Sequence, residues 1–184
     1  MRRLSVRRPH IRGGRAARLT LVLVLLCWAG CASTQPRPSS SPYLSVLVGL
    51  PDANGRYLDV STWQGRVLVV QFLASWCFPC IATAPRLQEL AQRYGKAGLS
   101  VVAVGMDREG AQVLAPFQEQ LGLNYPVLVS DTALREGKTA FGRITTLPTT
   151  VIFGRDGTVL TAFQGVPAEG SLEPFIENAL AMKP

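Results

Sequence analysis

The 184-residue chain contains a single histidine, His10, which lies in an arginine-rich amino-terminal segment. That segment has the features of a secretory signal, so we expect it to be absent from the mature protein. A mature chain without histidine has no Ser-His-Asp triad, no Cys-His catalytic pair and no histidine-ligated metal site. This absence excludes a large share of the common hydrolases.

An excess of charge of one sign is also lacking once the amino-terminal segment is set aside. The whole chain has 19 Lys and Arg against 12 Asp and Glu, a formal net charge of +7. Seven of the basic residues are arginines within residues 1–30, so the rest of the chain carries 12 basic and 12 acidic groups. Such a balance does not indicate a nucleic-acid-binding face, and we expect no nucleic-acid partner.

Cysteine is scarce, with four in the chain: Cys27, Cys31, Cys77 and Cys80. The last two form a close pair in the sequence SWCFPC. A zinc site needs more ligands than this pair supplies, and only a dimer or carboxylate groups would provide them, so we expect no metal. A structural disulfide of this spacing closes a very small loop and gains little entropy. A redox-active pair is the favoured interpretation, and the zinc site and the structural disulfide are the weaker alternatives.

Residues 1–30 are predicted to form a signal peptide of the lipoprotein type. Arginines precede an apolar run, Leu19–Ala29, which is too short for a bilayer-spanning helix of roughly 20 residues. The sequence WAGC, ending at Cys31, resembles a bacterial lipobox, although Trp28 stands where an aliphatic residue is usual. The resemblance implies that Cys31 is lipidated. An uncut membrane anchor and simple secretion are the alternatives.

Residues 31–43 are rich in Pro and Ser and too poor in apolar groups to pack, so they are predicted to form a linker. A folded domain is then predicted over residues 44–184. A tether between a lipid anchor and a folded domain would have this composition.

The domain alternates predicted strands and helices. Segments 44–48 and 56–60 alternate apolar and polar residues around a turn at Asn54-Gly55, which predicts an amino-terminal β-hairpin. Later strands are predicted at 67–73, 99–106, 125–131, 149–154 and 158–165, and helices at about 78–95, 110–121, 132–141 and 171–182. This order predicts an α/β sandwich with parallel central strands.

The SWCFPC sequence falls where the strand at 67–73 ends and a helix begins, the usual location of sites in such folds. At a helix start, backbone N–H groups and the helix dipole favour the thiolate of Cys77 and lower its pKa. Cys80 lies one turn further on, within reach of a disulfide. We therefore expect Cys77 to be the exposed nucleophile and Cys80 to resolve the mixed disulfide, with Trp76 shielding one side of the site.

The segment FLASWCFPCIATAPRLQEL resembles the active-site segment of the thioredoxin superfamily, and most closely the membrane-tethered TlpA/ResA-type reductases of the redoxin and AhpC-TSA group. The resemblance extends over about residues 45–182. It implies a thioredoxin-like three-layer α/β/α sandwich with a helical insertion near 108–124, and a helix kinked at Pro85. The catalytic dithiol would be Cys77 and Cys80, with no other cofactor and no metal.

The segment TTLPTTVIFGRDGTV, from Thr145, matches the part of the family that carries a cis-proline, which places that role on Pro148. In the family this loop packs against the CxxC and pairs its backbone with substrate peptide. The resemblance therefore implies a substrate-binding set of five residues: Trp76, Phe78, Pro79, Leu147 and Pro148.

Three positions depart from the family pattern. Gln71 stands where thioredoxins carry a buried Asp, Thr83 stands where TlpA/ResA members often carry Glu, and Leu73 replaces a Trp. Neither an amide nor a hydroxyl titrates near neutral pH, so water or substrate would have to take the proton of Cys80. We expect slower or narrower thiol exchange than in a general thioredoxin.

The resemblance also implies a compartment and partners. Pro79 directly before Cys80 is typical of reducing members, which predicts a disulfide reductase. The expected location is the periplasm-facing bacterial cell envelope, on a membrane-anchored lipoprotein. The expected clients are disulfide-containing envelope proteins of the cytochrome c maturation type, and the expected electron donor is a membrane thiol-reductant transporter. A thiol peroxidase of the AhpC-TSA type and a non-catalytic binding lipoprotein on the same fold remain open.

Overall fold

The computed structural model of the protein describes residues 41–182. The predicted signal peptide, its lipidation site Cys31 and residues 31–40 of the predicted linker lie outside the described residues. Within the described range, the helices and strands have these bounds: α1 Pro42–Val48, β1 Val67–Leu73, α2 Phe78–Tyr94, β2 Leu99–Gly105, α3 Ala111–Gln120, β3 Val127–Val129, α4 Thr132–Arg135, β4 Thr149–Phe153, β5 Val159–Gln164 and α5 Glu173–Ala181. Short 3-10 helices cover Val60–Thr62 and Gly95–Ala97. None of the helices in this range combines the length and hydrophobicity that crossing a membrane requires.

The five strands form one mixed sheet in the order β3-β2-β1-β4-β5. Strands β1, β2 and β3 are parallel, whereas β4 runs antiparallel to β1 and β5 antiparallel to β4. The closing pair turns at Arg155-Asp156-Gly157, where Gly157 has φ +78°, a conformation that favours glycine. The predicted α/β fold with parallel central strands and a closing hairpin is confirmed.

Strand β1 is the centre of the core because every one of its seven residues is buried. Its side chains alternate between two apolar clusters on opposite faces of the sheet. Val67, Val69 and Leu73 pack on the face covered by α2, α3 and α5, whereas Leu68 and Phe72 pack on the face covered by α1 and α4. Helices therefore cover both faces, which gives the three layers.

The predicted amino-terminal hairpin is wrong. Residues 42–48 form helix α1, because Pro42 is compatible with a first helical turn and the buried Leu44 and Leu47 lie three positions apart on one face. In the second predicted strand, only Tyr57 makes a β-bridge, to Pro51. The first helix of the described residues thus begins at Pro42, within the segment predicted as linker.

Helix α4 is also shorter than the predicted 132–141. Gly137 adopts φ +74°, and its N–H donates to the carbonyl of Leu134, which ends the helix after a single turn. The chain from Lys138 to Pro148 then has no regular helix or strand. This irregular segment reaches the sheet edge where the cysteine pair lies.

Candidate active site

Cys77 and Cys80 are joined by a disulfide, with their sulfur atoms 2.06 Å apart and their Cα atoms 5.2 Å apart. The pair follows β1 by a short loop and opens α2, so it lies at the carboxyl edge of the central strand. This is the edge at which α/β folds carry their chemistry. The placement that the sequence predicts for the pair agrees with these bounds.

Cys77 is the N-cap of α2. Its backbone is extended, and its sulfur accepts a hydrogen bond from the N–H of Cys80 at 3.3 Å. Its carbonyl accepts from the N–H groups of Cys80 and Ile81, at 2.9 and 3.2 Å. The sulfur therefore occupies the position where a helix presents unpaired N–H groups and the positive end of its dipole.

The two cysteines differ in access. Cys77 is 5% exposed and Cys80 is 0% exposed, so an attacking sulfur reaches only Cys77. Cys77 is less exposed than the sequence analysis expects, because both cysteines belong to the apolar cluster beneath α2. In contrast, Trp76 and Phe78 on either side are 74% and 79% exposed.

A shallow cavity of about 750 Å³ opens over Cys77. Its lining comes from the CxxC loop and from the irregular segment before β4: Trp76, Cys77, Phe78, Pro79, Ile144, Thr145, Thr146 and Leu147. Four of the five predicted substrate-binding residues therefore surround the accessible sulfur. We call this the Cys77 cavity.

The Leu147–Pro148 peptide bond is cis, which is the geometry that the resemblance implied. Pro148 itself is buried and is not part of the cavity lining, and its carbonyl accepts a hydrogen bond from the N–H of Gly165. Leu147 is half-buried and lines the cavity. The structure thus places Leu147, rather than Pro148, in contact with the space beside Cys77.

Asp107 supports the loop that carries the cysteines, a role that the sequence analysis missed. Both of its carboxylate oxygens accept from the N–H of Ser75 at 3.1 Å, and one accepts from the Ser75 hydroxyl at 2.6 Å. The side chain is buried, two residues beyond the end of β2. The sequence contains a signal for this role. Asp107 directly follows a predicted parallel strand, and the neighbouring strand ends at the CxxC, so both lie at the same edge of the sheet.

Behind the disulfide, Gln71 and Thr83 form a buried polar pair. The Gln71 amide nitrogen donates to the Thr83 hydroxyl at 3.2 Å, and that hydroxyl donates to the Cys80 carbonyl at 2.9 Å. The two positions that depart from the family pattern are therefore in contact with each other. Together they place polar atoms at the rear of the buried cysteine.

A second cavity, of about 590 Å³, reaches this rear side of α2 and has Gln71, Thr83 and Thr150 in its lining. Gln71 Oε1 and Thr150 Oγ1 are buried and have no hydrogen-bond partner among residues 41–182. At the rim, Arg86 of α2 pairs with Glu173 of α5 at 2.9 Å. Burial raises the pKa of Glu173, but hydrogen bonds from its own backbone and from Arg86 outweigh burial and hold that pKa below its ordinary value.

The redoxin family model matches residues 33–180, most of the chain. The chain belongs to the redoxin family. The match spans the CxxC, the cis-proline segment and every described strand. The insertion that the sequence analysis placed near 108–124 corresponds to α3 and its flanking turns.

Curated redoxin relatives share about a quarter of their residues with this chain. The thiol-disulfide oxidoreductase ResA of Bacillus thuringiensis (strain Al Hakam) is 27% identical over 129 residues, which cover 69% of this chain and 71% of ResA. The ResA of Bacillus subtilis (strain 168) is 27% identical over 127 residues, which cover 69% of each chain.

Solved structures show the same fold. A Chlorobium tepidum protein described as a thiol:disulfide interchange protein DsbE is 28% identical, with a TM-score of 0.61, over 72% of this chain and 92% of that chain. A thiol-disulfide oxidoreductase from Bacteroides fragilis NCTC 9343 is 25% identical, with a TM-score of 0.56, over 68% and 94%. With its paired cysteines at a helix start, this redoxin is a thiol-disulfide oxidoreductase.

Replacing Asp107 by Asn tests the support of the CxxC loop. An amide accepts through one oxygen only and carries no charge, so the hydrogen bonds to Ser75 weaken. We expect the free energy of unfolding to fall by about 1.5–3 kcal/mol, the usual worth of hydrogen bonds to a charged group. Denaturant unfolding measures it, with the exposed Glu109→Gln as the matched control. Equal stability of the two variants would contradict the role.

Replacing Gln71 by Asp tests proton removal from Cys80. Gln71 is linked to the Cys80 carbonyl through the Thr83 hydroxyl, and a carboxylate at this position can accept a proton, whereas an amide cannot. A general base accelerates a reaction by about 10²–10⁴-fold. We expect Gln71→Asp to resolve mixed disulfides at least about tenfold faster than Gln71→Asn, its uncharged match. Rapid-mixing kinetics across pH measures both rates. If the two variants react at the same rate, proton removal does not limit the step.

Proposed function

We propose that this redoxin is a cell-envelope disulfide reductase that uses the Cys77–Cys80 dithiol, of the kind that serves cytochrome c maturation. The observation that carries the proposal is the asymmetry of the pair. The sulfur of Cys77 is the accessible one and accepts a hydrogen bond at the helix start, whereas Cys80 is fully buried one turn behind it. One sulfur is placed to attack and the other to resolve.

The chemistry balances as two successive thiol exchanges. The Cys77 thiolate attacks one sulfur of a client disulfide, forms a mixed disulfide and releases the other client sulfur as a thiolate. Cys80 then loses its proton and attacks the Cys77 sulfur, which forms the Cys77–Cys80 disulfide and releases the second client thiolate. The client gains two electrons and the protein loses two. A membrane thiol-reductant transporter would return the protein to the dithiol form.

The backbone of Leu147 supports peptide binding beside Cys77. Neither its N–H nor its carbonyl hydrogen-bonds to another backbone group or side chain among the described residues. Unpaired backbone groups at a partly exposed position are available to an extended peptide, which would pair with them as an added strand. The exposed rings of Trp76 and Phe78 offer apolar contacts on the other side of the same cavity. No cofactor beyond the dithiol enters this proposal.

The reducing direction rests on Pro79, which lies between the two cysteines and directly precedes Cys80. The envelope location rests on residues 1–30, with their arginines and short apolar run, and on the lipobox-like WAGC that ends at Cys31. In this proposal Cys31 carries lipid and the residues up to Ser41 tether the domain to the membrane. The relatives named ResA and DsbE support the same assignment by their similarity.

The equilibrium potential of the Cys77–Cys80 couple in glutathione buffers tests the direction. A reductase should have a potential near about −250 mV or lower, whereas an oxidase lies near about −120 mV. The less negative value would reverse the proposed direction.

Replacing Cys77 by Ser serves as the companion test of catalysis. We expect the variant to lose all turnover of disulfides, because Cys80 is not accessible to a client. Unchanged client binding with no loss of function would instead indicate a binding lipoprotein. Rapid peroxide consumption with feeble disulfide exchange in the unaltered protein would indicate a peroxidase.

A further inference from the structure

A basic cavity of about 410 Å³ is lined by residues outside the Cys77 cavity. Three arginines line it, together with one hydroxyl and one acid: Arg108, Arg135, Arg143, Thr132 and Glu136. They belong to two separate segments that flank the active site, one after β2 and one around and after α4. The balanced charge of the mature sequence gave no sign of this local concentration.

The backbone ties two of these arginines to the catalytic loop. Arg143 precedes Ile144, which lines the Cys77 cavity. Arg108 follows Asp107, whose carboxylate binds Ser75, two residues before Cys77. Both segments that carry the arginines therefore border the CxxC loop or the Cys77 cavity.

Neutral oxygen atoms, rather than carboxylates, orient these guanidinium groups. Arg135 donates to the carbonyl and hydroxyl of Ser130 and to the hydroxyl of Thr132. Arg143 donates to the carbonyl of Glu136 at 3.5 Å. Within residues 41–182, no carboxylate lies within salt-bridge distance of Arg108, Arg135 or Arg143. Arg135 and Arg143 thus donate to neutral oxygen atoms and keep their charge.

Four acidic residues lie in the same two segments, but only one of them lines the cavity. Glu136 pairs with Lys138 at 2.6 Å, so that pair is neutral as a whole. Asp107 is buried beneath the loop and committed to Ser75. Glu109 and Asp131 are exposed and lie next in sequence to Arg108 and Thr132, but neither lines the cavity. The lining itself therefore has three guanidinium groups against one carboxylate, that of Glu136.

The position of Arg143 is set by close backbone packing. Gly137 has φ +74°, and a Cβ atom added there would lie 2.8 Å from the backbone of Arg143. The turn after α4 therefore requires glycine so that the chain can fold back against Arg143.

We propose that Trp76, Phe78, Arg108, Arg135 and Arg143 form a docking surface for acidic, disulfide-bearing segments of client proteins. The inference rests on the proposed reductase function and specifies its substrate class. The rings contact apolar residues beside the client cysteine, while the arginines bind client carboxylates, for which the planar guanidinium is suited. Complementary charge raises the encounter rate, and salt weakens that effect.

Two synthetic peptides with the same disulfide loop test this surface. One carries Glu residues on both sides of the cysteines, and the other carries Lys at the same positions. The reduced full-length protein is mixed with each peptide at low and high salt, and the second-order rate constant of disulfide reduction is measured. We expect the acidic peptide to react at least about tenfold faster at low salt, within the range that electrostatic steering gives, and the difference to shrink at high salt.

Charge reversal by Arg108→Glu together with Arg143→Glu should remove or invert the preference. Lys96→Glu and Arg93→Glu combined are the matched control, since both residues are exposed and lie at the opposite end of α2 from Cys77. Bis(2-hydroxyethyl) disulfide, which is uncharged, should be reduced at the same rate by the protein and by the control double variant, and for the Arg108/Arg143 variant each peptide rate is divided by its rate with this disulfide. This neutral substrate reports the reductase function separately from client recognition.

Each outcome decides the inference. Failure to reduce the neutral disulfide would overturn the proposed function and the docking surface with it. Normal reduction of the neutral disulfide with equal rates for the two peptides would overturn the docking surface alone. Binding to phosphatidylglycerol vesicles is measured as well. If the two peptides react at equal rates, and the Arg108/Arg143 double variant no longer binds these vesicles while the control variant does, the basic surface contacts membrane instead of clients.

Discussion

The position of one sulfur atom at the first turn of α2 is the constraint on which the rest of the active site depends. Strand β1 is buried on both faces and ends at Leu73, and α2 must start almost at once to cover the sheet. The residue that caps the helix is therefore held at the carboxyl edge of the central strand. Because that residue is Cys77, its sulfur accepts a hydrogen bond from the backbone N–H of Cys80 at the helix start.

The dithiol has two different surroundings: the solvent-facing Cys77 cavity at the front, and the buried side behind Cys80 at the rear. At the front, the Cys77 cavity combines exposed aromatic rings with the unpaired backbone of Leu147. At the rear, Gln71 and Thr83 supply hydrogen bonds but no titrating group near Cys80. Asp107 is a buried acid that contacts the CxxC loop, and its carboxylate is hydrogen-bonded to Ser75. Asp107 thus positions the loop, and Gln71 and Thr83 supply no group that takes up a proton near neutral pH.

Local sequence patterns were sufficient to predict a strand or a helix where a segment is compatible with only one of the two. The apolar run of β1, the proline in the first turn of α2 and the CxxC spacing led directly to the observed helix start. They failed at residues 44–48, where an apolar segment is compatible with either a strand or a short helix, and burial of Leu44 and Leu47 decided for the helix. They failed again at Asp107 and at the arginines, because both depend on segments distant in sequence that only the sheet topology brings together.

The ionisation of Cys77 in the reduced protein tests the central claim most directly. Thiolate absorbance and the rate of alkylation of Cys77, followed against pH, give its pKa. If the helix start stabilises the thiolate, the pKa lies well below the ordinary cysteine value of about 8.5, within the range of about 3.5–7.5 found for such sites. A pKa at or above about 8.5 would show that the helix start does not activate this sulfur, and would contradict the account.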